Sequence, residues 1–473
     1  MSTQELTATN LSLGRKRDAD FVFYELTRSI CPDCRKVIDA QIILRDNKVY
    51  MRKRCPQCGL FEALVYGDAA AYVAFSKYNK PGTIPLVRGT EVRDGCPYDC
   101  GLCPDHQQHT CLGIIEVNSN CNMDCPLCFS DARPGFSLTL EEVEQMLDDL
   151  VRTESNPEVV QFSGGEPTIH PQIIDFVQAA KARDIPFVMV NTNGKRIAHD
   201  DRFLGQLNEV RPSFYFQFDG FDPETYRILR GEPNLLDEKL RALDRLAQIG
   251  LSVTLVPAIE RGVNEHEVGK IVEFAIQHPA VLGINFQPAF HAGRHVQHDP
   301  MKRMTIPDVI KLIEEQTSGK FLASDFVPVP CCFPTCNSVT YAFIEGEGHS
   351  IAAHSECLRL PRLHHEPGNA GFQLGSEEGA GRLVVLIFSA GFRKVCPTVR
   401  LLLPSLWDTG KRDHRRVSRS HANDYAAGLH GSLDIQPEEP DEVLQGIPAP
   451  RGQADPFLRI QHARISRAGA RPA

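Results

Sequence analysis

The chain has 473 residues, of which 42% are hydrophobic and 23% are charged, and its formal net charge is −9. This is the composition of a globular protein long enough for two or three domains, and no basic stripe indicates a nucleic-acid partner. The polar start excludes a signal peptide and the lack of an apolar run of ~18 residues excludes a membrane span, so we expect a soluble, cytoplasmic protein.

Sixteen cysteines in a chain without an export signal indicate metal sites rather than disulfides. The first group consists of two C-x2-C pairs separated by twenty residues, Cys31 with Cys34 and Cys55 with Cys58. This spacing predicts a tetrahedral four-sulfur site, as in zinc ribbons and rubredoxin-like proteins, and does not distinguish zinc from iron. Residues 40–51 between the pairs predict a hairpin. Because all four positions are filled by protein, we expect a structural site.

The second group is a C-x3-C-x2-C motif formed by Cys96, Cys100 and Cys103, and Cys111 follows after seven residues. Four cysteines suit a fully ligated auxiliary [4Fe–4S] cluster, and the alternative is a second zinc site. The flanking residues are polar and turn-like.

The third group, Cys121, Cys125 and Cys128, repeats the C-x3-C-x2-C spacing. Three thiolates can hold three corners of a four-iron cluster and leave the fourth iron open to a reagent. The alternatives are a zinc knot and a purely electron-carrying cluster. The apolar, β-branched run 114–117 predicts a buried strand that ends at this loop, and no such strand precedes the second group. We therefore predict the open-iron cluster here.

Downstream of Cys128 the sequence alternates predicted strands and helices, which is typical of a parallel α/β sheet. Counted from residue 114, six strands follow one another. The predicted fold class is α/β, a partial (β/α)6 TIM-type barrel that is open on one side. In such sheets, ligands bind at the carboxyl ends of the strands.

The run Gly164-Gly165-Glu166 closes the second predicted strand. Glycines let the backbone approach a ligand closely, and a glutamate can accept hydrogen bonds from an ammonium group. Further candidate ligand-binding residues follow strands three and four: Asn193, Gln217 and Asp219.

The cysteine loop, the Gly-Gly-Glu run and the six alternations together resemble the radical S-adenosylmethionine (radical SAM) superfamily. The resemblance implies that the open iron at Cys121, Cys125 and Cys128 binds the methionine end of SAM. One electron then cleaves SAM to a 5′-deoxyadenosyl radical. It also implies that Glu166 contacts the SAM amino group, and that a ferredoxin- or flavodoxin-type partner supplies the electron.

Two triple-cysteine motifs in one sequence resemble a family that combines tetraether lipid synthases with pterin-methylating radical SAM enzymes. The resemblance covers roughly residues 25–345 and implies hydrogen abstraction from an unactivated carbon. We expect formation of a C–C bond between lipid tails, with a lipid or small-molecule substrate and scope for peripheral membrane contact. The alternative is methylation of a pterin-type small molecule. An alternative of another class is a cluster-binding scaffold or electron carrier without SAM cleavage.

The segment at Cys331, Cys332 and Cys336 resembles a cysteine patch that follows the barrel in this family. It implies a third cluster held by Cys331 or Cys332 with Cys336, and Cys357 is a further candidate. Free buried thiols are the alternative.

We predict five regions: a metal ribbon at 1–90, an auxiliary-cluster segment at 91–112, a barrel at 113–325, a cysteine patch at 326–360 and a tail at 361–473. In the tail only residues 383–388 are clearly apolar. We expect this tail to be diverged or disordered. A shifted reading frame is one hypothesis for its composition.

Overall fold

The structure is a computed structural model that describes residues 19–79, 84–95, 98–99, 101–104, 106, 108–130, 132–291, 294, 299–328, 333–345, 350–353 and 382–389. Among these residues, no helix is long and apolar enough to cross a membrane. Several predicted metal ligands lie outside the described residues: Cys96, Cys100, Cys331, Cys332 and Cys357.

The helices and strands follow one another in this order: β1 Val22–Ile30, β2 Val37–Arg45, β3 Lys48–Cys55, β4 Gly59–Tyr66, α1 Ala69–Ser76, β5 Gly113–Asn118, α2 Leu140–Glu154, β6 Val159–Gly164, α3 Ile173–Lys181, β7 Phe187–Thr192, α4 Lys195–His199, α5 Asp201–Val210, β8 Ser213–Gln217, α6 Pro223–Arg230, α7 Leu236–Gln248, β9 Val253–Val256, β10 Ala258–Ile259, α8 Val268–Gln277, β11 Val281–Pro288, α9 Ile306–Gln316, β12 Val327–Pro328, β13 Asn337–Glu345, β14 Ser350–Ala353 and β15 Arg382–Ser389.

Strands β1 to β4 form an antiparallel sheet in sequence order. The predicted hairpin is its β2–β3 pair, with Arg45 opposite Lys48. Asp46 and Asn47 both have positive φ, 52° and 53°. A two-residue turn with both residues in the left-handed region matches the twist of the flanking strands, and Asp and Asn tolerate it well.

The large sheet runs in the order β12-β13-β15-β11-β9-β8-β7-β6-β5, with β10 beside β11 and β14 beside β13. From β5 to β15 the seven strands on this path are parallel. All six predicted barrel strands are present, so the predicted α/β fold is confirmed. The seventh parallel strand, β15, comes from the apolar run of the predicted tail and pairs with both β11 and β13.

The parallel strands present one face to the helices. Phe162, Phe214 and Phe286 on this face are completely buried in the main core, together with Val143 and Leu147 of α2. Helix α2 begins with a capping box in which Thr139 and Glu142 satisfy each other's backbone N–H groups. We call the opposite side of the same strands the inner face. Gln161, Met189 and Tyr215 alternate with the core residues and therefore lie on it.

The ribbon packs against α9 of the barrel. Tyr66 and Tyr72 belong to the same apolar core as Ile306 and Val309. The Gly67 N–H donates to Thr305 Oγ1 at 3.0 Å. The ribbon is therefore joined to the barrel by a shared core as well as by the connecting segment.

Candidate active site

The four ribbon cysteines come together at one end of the small sheet. The sulfurs of Cys31, Cys34, Cys55 and Cys58 all lie within 4.8 Å of one another. Four sulfurs at ~2.3 Å from a central ion would be ~3.8 Å apart, so the observed spacing fits a tetrahedral metal. Burial raises the pKa of Cys55, but the backbone N–H groups of Gln57 and Cys58 lower it to about 7. This donor set fits zinc.

The loop with Cys121, Cys125 and Cys128 begins directly after β5, at the carboxyl edge of the parallel sheet. Burial, with the charges of Glu166, Cys125 and Cys128, raises the pKa of Cys121 to about 12. The three sulfurs are thus close enough to affect one another's ionisation. A cavity of about 920 Å³ opens beside them and is lined by Cys121 and Cys125. Three converging thiols next to a cavity fit a three-cysteine iron–sulfur cluster.

The two glycines after β6 pack against the backbone of this cysteine loop. A Cβ on Gly164 would lie 2.1 Å from the carbonyl oxygen of Asn118, and one on Gly165 would lie 2.1 Å from that of Asn120. The Gly165 N–H donates to the Asn118 carbonyl at 2.9 Å, and the Glu166 N–H donates to that of Asn120 at 2.8 Å. The close approach expected of the glycines is therefore made to the loop that carries the cysteines.

Glu166 is buried, and its side chain connects the ends of β6 and β7. Its Oε1 accepts hydrogen bonds from the hydroxyls of Thr168 and Thr192 at 2.6 and 2.7 Å. Its Oε2 accepts one from the Asn193 N–H at 2.7 Å. Burial raises the pKa of Glu166 although these donors lower it. Its role as a ligand of the SAM amino group stays a prediction, and what the structure adds is a role in positioning Asn193.

Asn193 connects the end of β7 to the cysteine loop. Its Nδ2 donates to Asn122 Oδ1 at 2.7 Å. Asn122 lies between Cys121 and Cys125 and lines the cavity. The predicted residue Asn193 therefore borders the candidate site.

Gln217 and Asp219 follow β8 and are joined to each other, because Gln217 Nε2 donates to Asp219 Oδ2 at 3.0 Å. Asp219 is completely buried. Arg230 binds both of its oxygens, with Nη2 at 2.6 Å and Nε at 2.7 Å. Such a bidentate pair is a strong, directional interaction. The carboxylate is thus engaged by Arg230, and its predicted role as a SAM ligand stays a prediction.

Two cations next to this site were missed by the sequence analysis. Arg230, in addition to holding Asp219, lies close enough to Cys125 for its charge to lower the pKa of that thiol, which burial raises. Lys239 is 1% exposed and donates to the Asn193 carbonyl at 3.0 Å and to Gln217 Oε1 at 3.1 Å. Burial lowers the pKa of Lys239 to about 8. A signal was available in the sequence, since Lys239 interrupts the apolar face of α7.

The cavity wall carries charges of both signs. Arg133, Arg294, Asp124 and Glu232 line it with the cysteine loop. The Arg294 guanidinium also binds Asp124, and the Arg294 backbone N–H donates to the Cys128 carbonyl. Arg294 therefore connects two parts of the cysteine loop. A wall with both signs is compatible with a zwitterionic ligand such as an amino acid group.

Of the predicted auxiliary ligands, Cys103 and Cys111 are among the described residues. Cys111 is buried, and its sulfur lies 3.5 Å from Nε2 of His109. Nδ1 of the same ring is 3.1 Å from Glu154 Oε2. Cys336 of the predicted third cluster is half-buried. Within the described part of the protein, the group of cysteines whose ligand atoms all lie within 4.8 Å of one another is that of the ribbon.

Comparison with known proteins adds two family matches. Residues 115–275 match the radical SAM superfamily, and residues 23–67 match the HMPTM N-terminal zinc ribbon domain. The chain is 37% identical over 352 residues to 7,8-dihydro-6-hydroxymethylpterin dimethyltransferase of Methanocaldococcus jannaschii, and the match covers 69% of each protein. It is 31% identical over 167 residues to GTP 3′,8-cyclase of Chlorobaculum tepidum, covering 35% of this chain and 49% of the relative.

Among solved structures, the Streptococcus suis protein SuiB, bound to its precursor peptide SuiA, aligns with a TM-score of 0.38 at 15% identity. That alignment covers 44% of this chain and 46% of SuiB. The protein anSMEcpe with bound AdoMet aligns with a TM-score of 0.34 at 17% identity, over 44% of this chain and 58% of that one.

Proposed function

Because the chain belongs to the radical SAM superfamily, and within it to the family of the pterin dimethyltransferase from M. jannaschii, we propose that it methylates a reduced pterin-type small molecule. The observation that carries the proposal is the 37% identity, which extends over 352 residues and is not limited to the barrel. Formation of a C–C bond between lipid tails, the first function predicted from the sequence, gains no support from these relatives. The pterin alternative is therefore the better supported of the two.

In the proposed site, the thiolates of Cys121, Cys125 and Cys128 hold the SAM-binding cluster. When bound, a [4Fe–4S] cluster supplies the electron that cleaves SAM to methionine and a 5′-deoxyadenosyl radical. Protein groups around it orient the ligands: Gly164 and Gly165 let the loop sit close to β6, Asn193 holds Asn122 of the loop, and Lys239 bridges Asn193 and Gln217. The positive charge of Arg230 lowers the pKa of Cys125, which favours the thiolate.

We further propose an auxiliary [4Fe–4S] cluster at Cys96, Cys100, Cys103 and Cys111, and a third cluster that includes Cys331 and Cys336. The burial of Cys111 supports the first of these. An external ferredoxin- or flavodoxin-type reductant completes the scheme, because the electron must come from outside the protein. We also propose the predicted division of the chain into five regions. Strands β12 to β15, which come from the last two of these regions, extend the large sheet.

The experiment is anaerobic incubation of iron-reconstituted protein with SAM, dithionite and 7,8-dihydro-6-hydroxymethylpterin. We expect 5′-deoxyadenosine and a pterin product that is heavier by one or two methyl groups. A Cys125→Ala variant should form neither. Repeating the reaction with SAM labelled in its methyl group shows whether SAM supplies the new carbon.

Two outcomes would contradict the proposal in different ways. Formation of 5′-deoxyadenosine without a change in the pterin would retain the radical SAM chemistry and reject the substrate. Absence of 5′-deoxyadenosine from protein with a full complement of iron would favour the cluster-binding scaffold.

A further inference from the structure

The inner face of the barrel sheet carries several polar side chains among apolar ones such as Met189 and Val256, whereas the helix-facing side of the same strands is apolar. Successive strands contribute Gln161 and Ser163, Asn191, Tyr215, Asn285, and Gln287, each next to a core residue in the alternating pattern. Polar side chains on the inside of a sheet cost free energy unless they are hydrogen-bonded to the protein or to a ligand. Most of these groups bond one another, so a polar group on this face that has no protein partner is the candidate for contact with a ligand.

A hydrogen-bonded cluster connects two strands of this face that are not neighbours. The Tyr215 hydroxyl on β8 accepts hydrogen bonds from Asn285 Nδ2 at 2.5 Å and from Gln287 Nε2 at 2.8 Å, and both amides are on β11. Strand β9 lies between β8 and β11. Neighbouring strands are ~4.8 Å apart, so these contacts span about two strand spacings and join β8 to β11 over β9.

The cluster is held rigidly and lies in the carboxyl half of the strands. Tyr215 packs with Met189 and Val256 on the same face and is 5% exposed. Burial raises the pKa of Tyr215, so its hydroxyl stays neutral at physiological pH. Gln161 is also buried, and its Nε2 has no hydrogen-bond partner among the described residues. An amide donor without a partner at a buried position is a candidate for contact with a ligand.

The rim of this face continues into the candidate active site. Asn191 Nδ2 donates to Ser163 Oγ at 3.1 Å, one residue before Gly164. Asn191 is two residues before Asn193, which contacts the cysteine loop through Asn122. A ligand on the inner face would therefore lie next to the place where the radical is formed.

The chemistry of the face selects a class of ligand. Asn and Gln side chains each present both donors and an acceptor, which match the amide-like edge of a fused heterocycle. Strands β5 to β9 and β11 contain neither Lys nor Arg, and the carboxylate they carry is Glu116 of β5, beside Ser163 on the inner face, so these strands do not compensate a phosphate. An apolar ligand would leave the Gln161 Nε2 donor without a partner at a cost.

We propose that Gln161, Asn191, Tyr215, Asn285 and Gln287 form the recognition surface for the substrate, and that this surface takes a neutral planar heterocycle with an amide edge, such as a reduced pterin. This proposal rests on the proposed function and adds the residues that select the substrate. It assigns no part of SAM cleavage to these side chains.

The test measures binding of 7,8-dihydro-6-hydroxymethylpterin to the cluster-loaded protein under anaerobic conditions, by calorimetry. Tyr215→Phe removes one hydroxyl, and Gln287→Leu removes one amide while keeping similar volume. Loss of one good hydrogen bond to a buried group is expected to raise Kd about tenfold. Tyr72→Phe is the matched control, because Tyr72 is an equally buried tyrosine in the ribbon, and we expect it to bind the pterin like the wild type.

Iron content and unfolding temperature are measured for every variant, so that a folding defect is separated from a loss of binding. In turnover experiments the two variants should raise KM more than they lower kcat. If wild type and both variants bind the pterin equally, the recognition surface is wrong and the proposed function survives. If the wild type does not bind the pterin, both proposals are overturned.

Discussion

At the residue scale, the two glycines after β6 show how a short motif positions a cofactor loop. Their hydrogens leave just enough space for the carbonyl oxygens of Asn118 and Asn120. A methyl group at Gly165 would lie 2.5 Å from the carbonyl carbon of Asn120, a backbone atom that cannot rotate away. The loop with Cys121 would have to move instead.

We therefore predict that Gly165→Ala reduces the iron bound by the cysteine loop and lowers 5′-deoxyadenosine formation by about tenfold or more, while zinc in the ribbon is unchanged. The measurements are metal content per protein molecule and the rate of SAM cleavage. Gly205→Ala is the control, since Gly205 is exposed in α5 and an added Cβ would contact nothing within 4 Å. Unchanged iron and activity in Gly165→Ala would show that the loop can shift without loss.

Lys239 is the other informative single residue, because a buried ammonium without a carboxylate among its two hydrogen-bond acceptors is costly. Burial lowers its pKa from 10.5 to about 8, while the charges of Asp219, Cys125 and Glu166 raise it and that of Arg230 lowers it. Between these two values the unfolded chain binds more protons than the folded one. The contribution of Lys239 to stability therefore rises with pH across this window.

We predict that the cluster-free wild type gains about 2 kcal/mol of unfolding free energy relative to Lys239→Met between about pH 7.5 and about pH 9.5. Denaturant unfolding at each pH measures the difference between the two proteins, which cancels the groups they share. Lys270→Met, at an exposed position of α8, should show no such gain. A difference that is constant with pH would mean that Lys239 is not desolvated.

At the element scale, β15 shows that part of the predicted carboxyl-terminal tail belongs to the barrel sheet. It pairs in parallel with β11 from Gly283 to Phe286 and antiparallel with β13 from Asn337 to Ile344. Without β15, both neighbours would expose unpaired backbone N–H and C=O groups. Exposed strand edges of this length promote edge-to-edge association.

We predict that a protein ending after residue 360 aggregates or loses cooperative unfolding, whereas a protein ending after residue 391 behaves like the full-length one. Light scattering and thermal unfolding compare the two. The design separates the strand from the rest of the predicted tail, because only the shorter protein lacks residues 382–389. A monomeric, stable shorter protein would show that β11 and β13 do not need β15.

At the scale of the whole molecule, the patterns that were readable in the sequence are the local ones. The four ribbon cysteines, the Asp46–Asn47 turn and the alternation of six strands and helices each depend on residues close together in the sequence. The place of β15 in the sheet could not be predicted, because its parallel partner β11 lies about a hundred residues earlier in the sequence. The roles of Glu166 and Asp219 were also hidden. A carboxylate at a strand end looks the same in the sequence whether it contacts a ligand or is held by Thr192 or Arg230.

The candidate site joins the ends of β5, β6, β7 and β8, so a ligand bound there should stabilise the barrel as a unit. Binding to the folded state alone contributes RT ln(1 + [L]/Kd), about 2.7 kcal/mol at a hundredfold excess over Kd. We predict that SAM raises the unfolding temperature of the iron-loaded protein and leaves that of Cys125→Ala unchanged. Cys58→Ser, which affects only the ribbon site, should keep the response to SAM, because the Cys121 loop contains none of the ribbon ligands. Equal stabilisation of Cys125→Ala would show that SAM binds without the cluster, and the assignment of the loop as its site would then be wrong.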